Sequence, residues 1–328
     1  MRSRVPRGVG VALLAAACGS QQRFAELGAF RTEGGDVIQD CRLGYRTFGR
    51  LDGAGSNAVL FLPWFQGTSR ELAWQVGPTR LVDSSRFYVI AVDAFGNGVS
   101  SSPSNSPSQP GDRFPPITLR DMVRAEHELV TRVLGIAHLK AVVGVSMGGM
   151  QALAWSVTYP DAMDEVVSIV GSPRATERDR ARWREAMEEV ATRPAWRRAL
   201  DALKRGGVAD ALRALRIPPS DHRAQARAIA DLDLSSPFGG SMERAAAAVR
   251  ARTLVAISES DAVVDPEPAR QFAALAGATL LVLDGPSGHS AASSESGTLF
   301  PAVRLFLESG ERPEENRAPA PPRVRLPH

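Results

Sequence analysis

The stretch AVVGVSMGGMQALAW, residues 141–155, decides how the rest of this chain is read. An apolar, β-branched run reaches Gly144, and a run with helical spacing begins within two residues of it. Ser146 stands at the corner, flanked by Gly144 on one side and by Gly148 and Gly149 on the other. The pattern Gly-x-Ser-x-Gly is common by chance; a strand before it and a helix after it make it informative. A serine at such a turn takes a strained backbone conformation, and small neighbours let the following helix pack closely. The first N–H groups of that helix then face developing negative charge, and the amide of Met147 is the nearest donor. Ser146 is therefore a candidate nucleophile.

A serine hydroxyl needs a base. The chain has five histidines. His127 falls within a helical pattern, His138 just precedes a strand, His222 lies in a helical region, and His328 is the last residue. His289, in LLVLDGPSGHSA (residues 280–291), sits in a glycine-flanked loop after the final strand and is free to turn toward Ser146. The base needs a carboxylate to fix its tautomer. LVAISESDAVVDP (residues 254–266) offers Glu259, Asp261 and Asp265 beyond a strand. Asp261 is selected because it stands a few residues past the strand end, ahead of an apolar run. Asp265 is placed to cap the helix that starts near Pro266, and Glu259 is the alternative. A second oxyanion donor is expected from the loop in VLFLPWFQGTS (residues 59–69), where Gly67 permits close backbone approach and Phe65 supplies the amide. Trp64 and Phe65 also read as core or pocket wall.

The wider pattern supports one sheet. Residues 36–51 alternate as antiparallel strands do, and residues 57–64, 86–98, 138–146, 164–173, 251–261 and 278–289 each carry a buried-strand run. Helical runs at 120–135 and 148–160 separate several of them. Such alternation predicts an α/β fold with a mostly parallel sheet and helices on both faces. Residues 175–252 break the pattern: they hold ERDRARWREAMEEVATRPAWRRALDALKRGG and MERAAAAVRA and no strand, which predicts a helical insertion serving as a lid. Arg174, Arg178 and Arg182 in it read as a solvated face or as contacts for an anionic substrate. The main domain is expected over residues 25–310, and the proline-rich residues 311–328 read as a disordered tail.

The formal charge is +3, and Arg2, Arg4 and Arg7 account for the whole excess. With no basic stripe elsewhere, a nucleic-acid partner is excluded. Residues 1–17 carry those arginines and an apolar stretch too short to span a bilayer, which suits a secretory signal. The following Leu14-Ala15-Ala16-Ala17-Cys18 resembles a lipobox, so Cys18 is expected as an acylated mature N-terminus, with a periplasmic or membrane-anchored protein as the result; a leader that is not a signal would leave it cytoplasmic. Cys41 is then the sole remaining thiol, so neither an intrachain disulfide nor a cysteine–histidine metal cluster is expected. No cofactor is called for; the partner expected is a small-molecule acyl substrate.

With these residues in hand, the chain resembles the homoserine O-acetyltransferase family of the α/β-hydrolase superfamily over residues 27–306. The resemblance rests on ITLRDMVRAEHELVTRVLGI (residues 117–136), VVGVSMGGMQALAWSVTYPDAMDEVV (residues 142–167), SESDAVVDP and SGHSA. It implies the α/β-hydrolase fold, the order Ser146, Asp261, His289, and a homodimer. Two departures count against homoserine. PWFQG stands where the transferases usually carry His-Ala-Leu-Thr-Gly, and Ser290 stands where they carry an aspartate that helps recognise the amino acid. Acetyl-CoA is also cytosolic, so an exported enzyme would transfer its acyl group to water. The expectation is thus a serine hydrolase of small esters, amides or thioesters, with an acetyl-CoA-dependent acyltransferase as the alternative. A non-catalytic binding lipoprotein on the same fold is the reading from a different class.

Overall fold

The computed structural model describes residues 21–194 and 215–309, together with Arg197, Ala199 and Asp201. The expected signal segment, Cys18 and the proline-rich tail lie outside the described residues. Eight strands form one sheet in the order β1-β2-β4-β3-β5-β6-β7-β8. These are β1 (Arg23–Arg31), β2 (Val37–Phe48), β3 (Ala58–Leu62), β4 (Tyr88–Val92), β5 (Leu139–Val145), β6 (Met163–Ile169), β7 (Arg252–Ser258) and β8 (Thr279–Leu283). The pairs β1–β2 and β2–β4 are antiparallel, and every other pair is parallel. The central strands are buried along nearly their whole length, as β3 (AVLFL) illustrates. Strands covered on both faces need apolar residues at successive positions rather than at alternate ones.

Helices supply that cover: α1 (Ser69–Leu72), α2 (Leu119–Glu128), α3 (Met147–Thr158), α4 (Glu177–Thr192), α5 (Pro219–Ala230), α6 (Met242–Ala247), α7 (Glu267–Ala276), α8 (Ala291–Ser294) and α9 (Ser296–Glu308). One face of the sheet packs Met122, Leu129, Trp155, Ile229 and Phe272 from α2, the turn after it, α3, α5 and α7. The other packs Leu72, Leu299, Val303 and Phe306 from α1 and α9. Each such fully buried aliphatic or aromatic side chain contributes about 1.5–3 kcal/mol relative to exposure. Capping boxes start α2 and α4: Thr118 and Thr176 accept from the amides of Asp121 and Asp179, and each carboxylate accepts in return from its threonine's amide.

Two elements differ from the sequence reading. The antiparallel pattern of residues 36–51 is one long strand, β2, whose partner β1 comes from residues the pattern did not mark. The run expected as a helix over 120–135 ends as α2 at Glu128 and continues as one wider turn over Leu129–Val133. Between β6 and β7, the described residues hold helices and no strand, as expected for 175–252. The parallel strands all point the same way, so the loops after β3, β5, β6, β7 and β8 emerge along one edge of the sheet.

Candidate active site

At that edge β5 ends at Val145 and α3 begins at Met147, leaving one residue to turn the chain. Ser146 makes the turn with φ 56° and ψ −115°, and its amide donates to Ile169 O at 2.8 Å. A non-glycine residue at positive φ costs on the order of 1–3 kcal/mol, and surrounding packing must hold it there. That packing leaves no room for side chains at the flanking glycines. A Cβ on Gly144 would lie 1.9 Å from Gly148 O, and one on Gly148 would lie 2.2 Å from Leu62 O. The glycines of the motif are thus set by close approach of α3 to β5 and to the end of β3.

His289 and Asp261 arrive from the loops after β8 and β7. His289 sits in a short 3-10 turn, Gly288–Ser290, and Gly288 takes φ 55°. The Gly288 amide donates to Ser260 Oγ at 3.1 Å, and Ser260 Oγ donates to Gly285 O at 2.9 Å, which laces the two loops together. Ser146 Oγ lies 2.7 Å from His289 Nε2, and His289 Nδ1 lies 2.7 Å from Asp261 Oδ2. An ionised carboxylate only accepts, so Nδ1 carries the ring proton and Nε2 accepts from the serine hydroxyl. Asp261 is 6% exposed, and its Oδ1 accepts from the amides of Val263 and Val264 at 2.8 and 3.0 Å. Those bonds fix the carboxylate so that its second oxygen faces the ring. The structure therefore brings Ser146, His289 and Asp261 into one hydrogen-bonded row.

The competing acids are engaged elsewhere. Glu259 pairs with Arg270. Asp265 accepts from the Glu267 amide at 3.1 Å at the start of α7 and lies 3.6 Å from Arg178. His127 stacks on Tyr159 with ring centroids 3.9 Å apart, and His138 binds Asp164 at 3.0 Å. Cys41 is buried on β2, and burial pushes its thiol up to about 12, which rules it out as a second nucleophile. Among the described residues no group of three or more His, Cys, Asp or Glu could hold a metal ion.

The Met147 amide opens α3, where an intrahelical acceptor does not exist. The Phe65 amide belongs to the turn after β3, in which the amides of Gln66 and Gly67 donate to Gln225 Oε1 and Trp64 O, each at 2.8 Å. Leu62 pairs with Gly144 across the sheet, so this turn lies against the start of α3.

Sequence reading missed what holds the turn. Gln66 takes φ 58°, its amide donates to Gln225 Oε1 at 2.8 Å, and its Nε2 donates to Gly96 O at 3.1 Å. Gln225, on α5, donates in turn to Phe95 O at 2.8 Å. The Phe65 ring packs against Trp183 of α4 and His222 of α5, with centroids 4.9 and 4.8 Å away. The inserted helices thus contact the predicted oxyanion loop directly. Of the signals in the sequence, only the polar Gln66 inside an otherwise apolar and glycine-bearing loop marked it.

A serine elbow after a central parallel strand, with acid and histidine beyond later strand ends in that order, is a fold-level signature. A model of the alpha/beta hydrolase fold matches residues 57–212. The chain has the α/β-hydrolase fold. It is 36% identical over 176 residues to an ethyl acetate hydrolase of Pseudomonas veronii, covering 53% of this chain and 50% of that one. It is 36% identical over 172 residues to a homoserine O-acetyltransferase of Leifsonia xyli subsp. xyli, covering 47% of this chain and 42% of that one. The chain therefore spans about half the length of the curated relatives it matches. An acetylester hydrolase structure from Corynebacterium glutamicum superposes with a TM-score of 0.80 at 26% identity, over 88% of this chain and 95% of that one.

Proposed function

We propose that the protein is a serine hydrolase of small acyl esters that works through an acyl-enzyme. The observation that carries this reading is the continuous row from Ser146 Oγ through His289 to Asp261, with 2.7 Å at each step. Ser146 Oγ attacks the acyl carbon while His289 Nε2 takes its proton, and Asp261 stabilises the imidazolium. The amides of Phe65 and Met147 receive the negative charge on the carbonyl oxygen. The imidazolium then protonates the leaving alcohol, and His289 activates a water molecule that releases the acid. The helices between β6 and β7 serve as the lid, with Phe65, Trp183 and His222 at its underside.

Water as the acyl acceptor is supported by Ser290, which stands where the transferases carry an aspartate, and by the leader-like residues 1–17. The similarity to an ethyl acetate hydrolase supports a short acyl group and a small alcohol. The similarity to a homoserine O-acetyltransferase supports a second reading, acyl transfer from acetyl-CoA to an amino-acid hydroxyl. The test is a comparison of wild type with Ser146→Ala on short-chain acetyl esters, with acetyl-CoA plus homoserine run alongside. Hydrolysis that falls by about 10⁴-fold or more in the variant supports the proposal. Acetyl transfer to homoserine well above the hydrolytic rate would replace it with the second reading.

A further inference from the structure

We propose that the surface around Gln22, with Trp74 and Phe24 as its aromatic members, is seated on the lipid bilayer that holds an acylated Cys18. The inference rests on reading Cys18 as the lipid anchor and adds to it where, and how closely, the folded domain meets the membrane.

Gln22 fixes the place. Its Nε2 donates to Asp93 Oδ2 at 2.8 Å, and its Oε1 accepts from Ser69 Oγ at 3.3 Å. Asp93 directly follows β4, and Ser69 begins α1, so both lie at the edge of the sheet where Ser146 turns. Cys18 precedes Gln22 by four residues. Even fully extended, four residues reach no more than about 14 Å. An acyl chain on Cys18 therefore leaves the domain no freedom to stand away from the bilayer, and the surface beside Gln22 must be the one that meets it.

That surface has the side chains a lipid headgroup layer accepts. Trp74 is 78% exposed in the helical turn that continues α1, five residues past Ser69 and so about 8–10 Å along the helix. Phe24 is 41% exposed on β1. Ala25 and Leu27 face the core, so strand alternation turns Phe24 to the opposite face, the one α1 covers. Among the described residues these two are the only aromatic members of the exposed large apolar set, and both flank the point from which the chain leads back to Cys18. Arg70 is exposed on α1, and the Arg42 guanidinium lies 4.8 Å from the Phe24 ring centroid. Aromatic rings partition to the headgroup level, and arginines there are drawn to anionic lipid. The short tether argues for the bilayer as occupant in place of a protein partner.

The experiment uses the full chain, leader included, produced in a bacterial host and reconstituted into vesicles of phosphatidylethanolamine and phosphatidylglycerol with brominated acyl chains. Peptide mass at Cys18, and membrane sedimentation of Cys18→Ala, read the anchor. Bromine quenching of tryptophan fluorescence in wild type and in Trp74→Ser reads the seat. The expected result is an acylated Cys18, quenching in wild type, loss of most of that quenching in Trp74→Ser, and unchanged hydrolysis of a soluble ester. An unmodified Cys18 overturns anchor and seat together. An acylated protein that is quenched equally with and without Trp74 overturns the seat alone. Soluble-ester hydrolysis reports separately on the hydrolase reading, which quenching does not touch.

Discussion

Replacing Glu126 by glutamine should flatten the dependence of stability on pH. Glu126 lies on α2 and is fully buried against α3, the helix that carries Ser146 at its start. Its Oε2 accepts from Trp155 Nε1 at 2.8 Å, while Oε1 has no partner among the described residues. Gln151, one turn before Trp155, also leaves its Oε1 without a partner there, and its Nε2 meets Met122 Sδ one turn before Glu126. Burial pushes the Glu126 carboxyl from 4.5 up to about 8, against the downward pull of the Trp155 hydrogen bond. The folded chain therefore keeps a proton that the unfolded chain releases between those two values. Stability is intact in this respect below pH 4.5, falls as pH rises through that window, and levels off above about 8. Each pH unit inside the window removes up to about 1.4 kcal/mol, so a few kcal/mol are at stake between pH 5 and 8. Glutamine keeps an acceptor for Trp155, supplies a donor in place of the second oxygen, and does not titrate. Urea midpoints for both proteins at pH 5, 6, 7 and 8 are the assay. Wild type should lose stability toward pH 8, Glu126→Gln should lose less, and the gap between them should widen in favour of the variant. Asp121 and Asp221 are also raised by burial and His127 is lowered, but these are common to both proteins and cancel in the difference. Parallel curves for the two proteins would refute the argument.

Three further outcomes follow from the site. Asp261→Asn keeps an acceptor for the Val263 and Val264 amides but offers no carboxylate to His289 Nδ1, so kcat should fall by about 10⁴-fold with little change in folding. Glu259→Gln, which breaks only the pair with Arg270, should leave ester hydrolysis within a few-fold of wild type; a comparable loss in both would move the acid role away from Asp261. Gly144→Ala drives a Cβ to 1.9 Å from Gly148 O, a backbone atom that cannot swing aside, and should cost about 1–3 kcal/mol or more in denaturant unfolding together with most of the activity. Unchanged stability and turnover in that variant would show that α3 and β5 do not approach so closely.

The parts of this fold that were legible in the sequence are those whose cause is local. The elbow announces itself because the close approach of α3 admits glycine alone at Gly144 and Gly148, beside a serine that must turn the chain. Asp261 and His289 could be proposed from the sequence because each lies in a loop directly after an apolar strand, and parallel strands deliver such loops to one edge. The strand β1 was not legible: register shifts on either side of Gly28 break its alternation, so RFAELGAFR shows no clean period. The partnership of Gln66 with Gln225 was illegible for a different reason. It joins residues 159 apart through side chains whose types fit a surface helix and a loop equally well.

That last failure separates two kinds of assembly within one site. Ser146, His289 and Asp261 are held by the sheet and by the loops that leave it, through the Ser146 amide on Ile169 O, the Val263 and Val264 amides on Asp261, and the Ser260 hydroxyl that joins the two loops. The Phe65 turn depends on α5, because the acceptor for the Gln66 amide and the donor to Phe95 O are both on Gln225. A shift of α5 would therefore reach the Phe65 turn and ring without disturbing the hydrogen-bonded row. Under the proposed function, the inserted helices would then change the pocket wall at Phe65 while the spacing of Ser146, His289 and Asp261 stays fixed.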